Sequence, residues 1–152
     1  MRISAKVDYA VRAMCEIAAR SGDAPLKAEQ ISHAQEIPLS YLENILVDLR
    51  RAGFIRSQRG QVGGYRMVRA AADVSIADVI RAVEGPLADV RGVRPEAISF
   101  HGSATALRDV WLATRVGLRR VLERISIADV VAGAIPAEVA KLLEDPDALL
   151  PH

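Results

Sequence analysis

PLSYLENILVDLRRAGFIRSQRGQVGGYRMV, residues 38 to 68, reads as a helix, a glycine stop and a glycine-rich hairpin. Pro38 has a preset φ suited to a helix start, and Leu39, Leu42, Ile45, Leu46 and Leu49 recur every three or four residues, predicting one buried face. Ser40, Tyr41, Glu43, Asn44, Arg50 and Arg51 fall on the other face, where they can hydrogen-bond outward. Gly53 can adopt the left-handed conformation that ends a helix. Phe54 to Ser57 and Tyr65 to Val68 then suit two short strands, joined by QRGQVGG, whose three glycines predict a flexible tip able to approach a phosphate backbone. Helix, stop and hairpin in that order are the layout of a winged helix.

Charge supports the same reading. Leu49 to Ala72 holds Arg50, Arg51, Arg56, Arg59, Arg66 and Arg69 and no Asp or Glu, a local +6 in a chain whose formal total is +1. Residues 1–70 carry eleven Lys+Arg against seven Asp+Glu, net +4, whereas residues 71–152 carry nine against twelve, net −3. The first half of the chain therefore suits a polyanion, because each neutralised phosphate releases condensed counterions.

The 152 residues are 51% hydrophobic but only 4% aromatic, so a core of Ala, Val, Leu and Ile is expected, favouring helices. One cysteine gives no internal disulfide, and no apolar run is long enough for a signal segment or a membrane span. A cytoplasmic protein with no membrane partner is expected. No nucleophile with a paired base, no clustered carboxylates and no phosphate loop opening a helix suggest an enzyme.

Upstream, residues 3 to 20 place Val7, Ala10, Val11, Met14, Ile17 and Ala18 on one stripe with Ser4 as cap, and Lys27 to Ala34 predicts a short helix with Ala28, Ile31 and Ala34 inward. Its tight join to the helix at Pro38 makes a helix-turn-helix, whose second member enters the major groove. Downstream, Ser75 to Asp78 is a capping-box pattern opening a helix that ends at Gly85-Pro86. Residues 87–103 lose periodicity. From about Ala104 to Ile125, Leu107, Trp111, Thr114, Leu118, Val121 and Ile125 are spaced 4, 3, 4, 3 and 4, a heptad seam on a helix of roughly 33 Å. Such a helix suits pairing with its own copy, or packing on the first helix, or both on different faces. Ser126-Ile-Ala-Asp129 echoes Ser75-Ile-Ala-Asp78 and opens a small helix to Gly133; one or two turns follow over 136–144, with a frayed tail beyond. The expected organisation is a mainly α chain with a small β-hairpin: a winged helix-turn-helix domain over 1–86 (recognition helix about 38–52, wing about 54–68), an irregular connection over 87–103, a dimerisation helix and short following helix over 104–133, and a C-terminal tail over 134–152.

ISAKVDYAVRAM, SYLENILVDLRRAGFIRSQRGQVGGYRMVR, SIADVIRAVEGPL and the long helix with Trp111 together resemble the Rrf2 family of bacterial transcription regulators, up to about residue 133. The resemblance implies a homodimeric repressor binding double-stranded DNA at a pseudo-palindromic operator. It places Ser40, Tyr41, Glu43 and Asn44 at phosphate and base contacts, and Arg59, with Gly60 beside it, in the minor groove; Arg50 and Arg51 are expected phosphate partners, and Arg2 and Lys6 lie at the edge of the footprint. Iron–sulfur members of the family ligate their cluster through three cysteines before the long helix, but residues 87–106 here contain none, so no cofactor is expected. Asp8, where some relatives supply a carboxylate ligand, reads as a first-turn helix acid; His101 is a lone imidazole with Glu96 and Asp89 nearby, Cys15 is a core residue, and Trp111 is core packing or a ligand-pocket lid. A small-molecule or protein effector, and the alternative of an interaction module for a metabolic enzyme, stay open.

Overall fold

The computed structural model describes residues 2–20, 22, 24–148 and 150. It is mostly helical with one two-stranded antiparallel hairpin: α1 Ala5–Ala19, α2 Ala28–Gln35, α3 Leu39–Arg51, β1 Ile55–Gln58, β2 Gly64–Met67, α4 Ile76–Glu84, α5 Leu107–Leu122, α6 Ile127–Ala132 and α7 Ala137–Ala140, with 3-10 turns at Ala71–Asp73, Pro95–Ala97, Gly102–Ala104 and Lys141–Glu144.

Ser4 caps α1, its Oγ accepting from the Val7 amide at 3.1 Å, and the helix buries Val7, Ala10, Ala13, Met14 and Ile17. Val11 and Ala18, expected inward, pack half-buried against the core, and Ala13, outside the expected stripe, is fully buried. Of the three inward candidates on α2, Ile31 is buried, Ala28 packs half-buried against the core, and Ala34 is exposed. Glu36 then turns left-handed at φ 52, the Ser32 hydroxyl donates to the Ile37 carbonyl at 2.6 Å, and Pro38 leads into α3. Leu42, Ile45, Leu46 and Leu49 are fully buried, which fixes the opposite face of α3 outward. Two backbone bonds end the helix: the Gly53 amide donates to Arg50 and the Phe54 amide to Leu49, with Gly53 at φ +75. This pattern satisfies carbonyls that the helix leaves unpaired and swings the chain directly into the hairpin.

β1 and β2 pair Ile55 with Met67, Arg56 with Arg66, Ser57 with Tyr65 and Gln58 with Gly64. The hairpin is pinned to the loop before α2 by reciprocal backbone bonds between Leu26 and Tyr65, at 3.1 and 2.7 Å. Here the expectation of a flexible glycine tip needs correction. A Cβ on Gly64 would sit 2.4 Å from the Leu26 carbonyl oxygen, and one on Gly63 would sit 2.6 Å from that of Gln58, so both glycines serve close backbone packing. Gly60, at φ +112 with open space around it, is the tip glycine in the expected sense.

The two Ser-Ile-Ala-Asp segments lie back to back. Ser75 and Ser126 form an isolated antiparallel bridge in which the Ile76 amide donates to the Ile125 carbonyl and the Ile127 amide to the Val74 carbonyl, both at 2.9 Å. Each serine caps its own helix and each aspartate accepts from its serine's amide and hydroxyl. Through this bridge α6 returns to α1, and Ile127 is fully buried in the same core as Val7, Ile31 and Leu46, so the core draws on residues both before and after the 87–103 connection. α5 is shorter than the seam suggested, 16 residues and about 24 Å rather than 22 and 33 Å. Gly102–Ala104 winds as a 3-10 turn before it, and the chain leaves it at Leu122 to reach the Ser126 cap, so Ile125 belongs to the junction. No residue of α5 is buried. Beyond α7 and its 3-10 turn, the tail expectation falls partly on Leu149, Pro151 and His152, outside the described residues.

Candidate nucleic-acid interface

Because Leu42, Ile45, Leu46 and Leu49 hold α3 against the core, Ser40, Tyr41, Glu43, Asn44, Arg50 and Arg51 all stand exposed. The Asn44 amide nitrogen donates to the Ser40 carbonyl at 3.1 Å. Arg50 reaches the Ser57 hydroxyl at 3.4 Å, tying the end of α3 to the hairpin, while Arg51 lies 3.8 Å from Asp48 and projects well into solvent. Arg59 and Gly60 are exposed at the hairpin tip. Helix face and tip thus offer hydroxyl, carboxylate, amide and guanidinium groups on one continuous polypeptide stretch, which is the donor and acceptor set that phosphates and base edges call for.

The packing adds residues that the sequence pattern did not single out. Tyr9 of α1 meets Tyr41 edge-on, with ring centroids 5.9 Å apart at 87°, and Arg12 stacks over Tyr9 at 5.5 Å from its centroid. Arg12 also contacts Asp8 at 3.0 Å and Gln35 at 3.4 Å, and Gln35 donates to Glu16 at 2.8 Å. A tyrosine and an arginine on the half-buried flank of α1 were the available signal, but which helix they met could not be read from periodicity. Lys6 moves the other way. Its ammonium lies 2.8 Å from Asp48 and donates to the Val83 carbonyl at 2.8 Å, so it fastens α1 to α3 and to the end of α4. Arg2 lines a cavity of about 570 Å³ beside α5.

That cavity also takes up part of the seam: Trp111, Thr114 and Leu118 line it together with Ile3, Val7, Ile80 and Leu87. Leu107, Trp111, Leu118, Val121 and Ile125 are half-buried, and Thr114 is exposed with its hydroxyl donating to the Val110 carbonyl at 2.9 Å. The Trp111 indole nitrogen is buried without a hydrogen-bond partner. Val110, flanking the seam, and Val116, on the opposite side of α5, are 51% and 44% exposed.

The residues of the 87–106 connection do not fit an iron–sulfur cluster. They supply no thiolate, Glu96 is engaged by Arg115 at 2.8 Å, the Asp89 carboxylate accepts from the Gly92 amide at 3.2 Å, and His101 stands exposed; among the described residues no three His, Cys, Asp or Glu side chains gather as metal ligands. Asp8 sits in the first turn of α1 and pairs with Arg12. Burial pushes the Cys15 thiol above its usual pKa, which disfavours the reactive thiolate. No helix among the described residues is long and apolar enough to cross a membrane.

Comparison with known proteins agrees with this geometry. Rv1287 of Mycobacterium tuberculosis, named as an HTH-type transcriptional regulator, is 45% identical over 145 residues, covering 95% of this chain and 90% of that protein. CymR of Bacillus subtilis, also named an HTH-type transcriptional regulator, is 30% identical over 132 residues, covering 87% of this chain and 91% of its own. The solved structure of CymR, described as the global cysteine regulator of B. subtilis, superposes with a TM-score of 0.75 over 88% of this chain and 98% of that one. A structure of T. potens IscR gives 0.70 over 100% and 93%, both at 28% identity. The model of the Rrf2 family, described as iron-dependent transcriptional regulators, matches residues 3–133, and this chain belongs to that family of DNA-binding transcriptional regulators.

Proposed function

We propose that the protein is a homodimeric, cytoplasmic repressor that reads a pseudo-palindromic operator without an iron–sulfur cluster. The observation that carries the reading is the exposed set Ser40, Tyr41, Glu43 and Asn44 on a helix whose other face buries Leu42, Ile45, Leu46 and Leu49 and half-buries Leu39, followed at once by a hairpin bearing Arg59 at its tip. In this reading α3 enters the major groove, where Glu43 accepts from cytosine N4 and the hydroxyls and amide hold phosphates and base edges. Arg59 enters the narrow, electronegative minor groove beside Gly60, while Arg50 and Arg51 hold the backbone. The absence of any acidic residue from Leu49 to Ala72 keeps the approach attractive along its length. Dimerisation through α5 supplies the second reader. Its support is that a 16-residue helix with no buried residue presents Leu107, Trp111, Leu118 and Val121 half-covered.

Fluorescence anisotropy on DNA from upstream of the protein's own gene, against a scrambled duplex over a salt series, tests the reading. Arg59→Ala is expected to weaken binding by about 1–3 kcal/mol and to lessen preference at the minor-groove positions; Glu43→Ala is expected to relax base preference at one position of each half-site. Unchanged binding by both variants would move the reading surface elsewhere.

A further inference from the structure

We propose that the concavity between the end of α4, the start of the 87–103 connection and the middle of α5 binds a compact multivalent oxyanion, a phosphorylated metabolite or a polycarboxylate, acting as an effector on the joint between α5 and the DNA-reading domain. The space is about 420 Å³, within the range of small-molecule clefts. Four arginines converge on it from three segments: Arg81 of α4, Arg94 of the connection, and Arg115 and Arg119 of α5; Glu96 is the acid that lines it, with Gly85, Pro86 and Leu87 completing the wall. A guanidinium fork matches phosphate and carboxylate oxygens two at a time, so four forks around one space suit a ligand with several oxygens rather than a monovalent ion.

Three carboxylates of the chain already touch these arginines. Glu96 lies 2.8 Å from Arg115, Glu123 accepts from both Arg81 and Arg119, and Asp78 lies 3.4 Å from Arg81. These pairs are partly exposed, and pairs of this kind are worth little, so a multivalent ligand can exchange for them. Arg94 makes no ion pair among the described residues.

The consequence is mechanical. Arg81 to Glu123 is a side-chain tie between α4 and the end of α5, placed beside the backbone bridge of Ser75 with Ser126. α4 in turn packs on α1 and α3. A ligand that recruits Arg81 and Arg119 releases Glu123 and loosens α5 relative to the reading helix. None of the residues assigned to DNA lines the concavity, so ligand and DNA have separate places and differential affinity can couple them. The effector step rests on the regulator reading; the binding step does not.

The test is calorimetric titration of the full-length protein with sodium tripolyphosphate and, separately, with citrate, at constant ionic strength, with Trp111 fluorescence in parallel because Trp111 lies one helical turn before Arg115. Saturable binding of one probe per chain is expected for at least one of the two, and the probe that binds names the ligand class. Arg94→Gln/Arg115→Gln is expected to weaken it at least about tenfold, whereas Arg108→Gln/Arg120→Gln, which removes equal charge elsewhere on α5, leaves it within about twofold. No saturable binding of either probe, or equal weakening by both double variants, overturns the site. Operator anisotropy with saturating probe is then expected to shift about fivefold in the wild type and not in Arg94→Gln/Arg115→Gln. Binding without that shift overturns the effector role, while failure to bind this DNA at all counts against the operator and leaves the site standing.

Discussion

The hairpin shows how one residue type carries two different burdens within five positions. Gly60 is free to take side chains in space but not in backbone, whereas Gly64 faces the Leu26 carbonyl so closely that an added methyl has nowhere to go. Gly64→Ala is therefore expected to cost more than the usual penalty of a positive φ, about 2–4 kcal/mol, and to detach the hairpin from the loop before α2; Gly60→Ala is expected to cost about 1 kcal/mol. Urea unfolding monitored by circular dichroism separates the two. Tyr9 offers a second contrast at this scale. It touches the reading surface through the edge-on contact with Tyr41, and such a pair is worth about 0.5–1.5 kcal/mol. Tyr9→Leu is expected to lower DNA affinity about two- to tenfold without altering base preference, since it frees the Tyr41 ring but removes no base-reading group. A change in preference at a defined position, seen by competition with substituted duplexes, would instead make Tyr9 a reader.

At the scale of elements, most of the architecture was legible because it is local. Ser4, Ser75, Ser126 and Gly53 are start and stop signals that act within a few residues, and each operates as its sequence context predicts. The exposed face of α3 was legible for the same reason, since burial of four leucine and isoleucine side chains leaves the intervening positions outside. What could not be read is where elements meet. The echo of SIADVI in SIADVV says nothing, in one dimension, of a back-to-back bridge, and the heptad of 107–125 does not show that a 3-10 turn and a helix cap would trim it. The paired caps give a pH prediction. Burial pushes the Asp78 carboxyl up, but hydrogen bonds from the Ser75 hydroxyl and amide, with Arg81 and Arg69 nearby, hold it below its ordinary value; the Ser126 hydroxyl and amide hold Asp129 low in the same way. A carboxylate depressed in the folded state stabilises it above the unfolded pKa, near pH 4, and that contribution is lost as pH falls through the folded pKa. Asp78→Asn/Asp129→Asn is thus expected to lower the melting temperature at about pH 7 and to flatten its decline between about pH 5 and pH 3, by scanning calorimetry. A parallel downward shift at every pH would assign the acid sensitivity to other groups.

For the whole molecule the question is what covers α5. The helix has no buried residue, yet its faces are not equivalent: Trp111, Thr114 and Leu118 look into the cavity shared with Val7 and Ile80, whereas Val116 stands 44% exposed on the opposite side. The concavity, of about 570 Å³ and open to solvent, has Ile3, Ile80, Leu87, Trp111 and Leu118 among its lining residues, beside Arg2, Glu84, Asp89 and Arg91. A second copy's helix laid across the seam would fill it, and the same contact would fix the distance between two reading helices, which a pseudo-palindromic operator demands. Leu118→Glu places a charge in that contact and is expected to yield monomers by sedimentation while circular dichroism retains the helical content. Specific DNA binding should then fall toward the salt-sensitive level of a single reader, because one half-site forfeits the contacts of the other. Val116→Glu, on the side of α5 opposite the seam, is the matched control, expected to leave the dimer intact. If the two results are reversed, the interface lies on the Val116 side of α5, the half-sites are spaced by a different crossing of the helix, and the cavity beside Trp111 becomes internal space of each protomer.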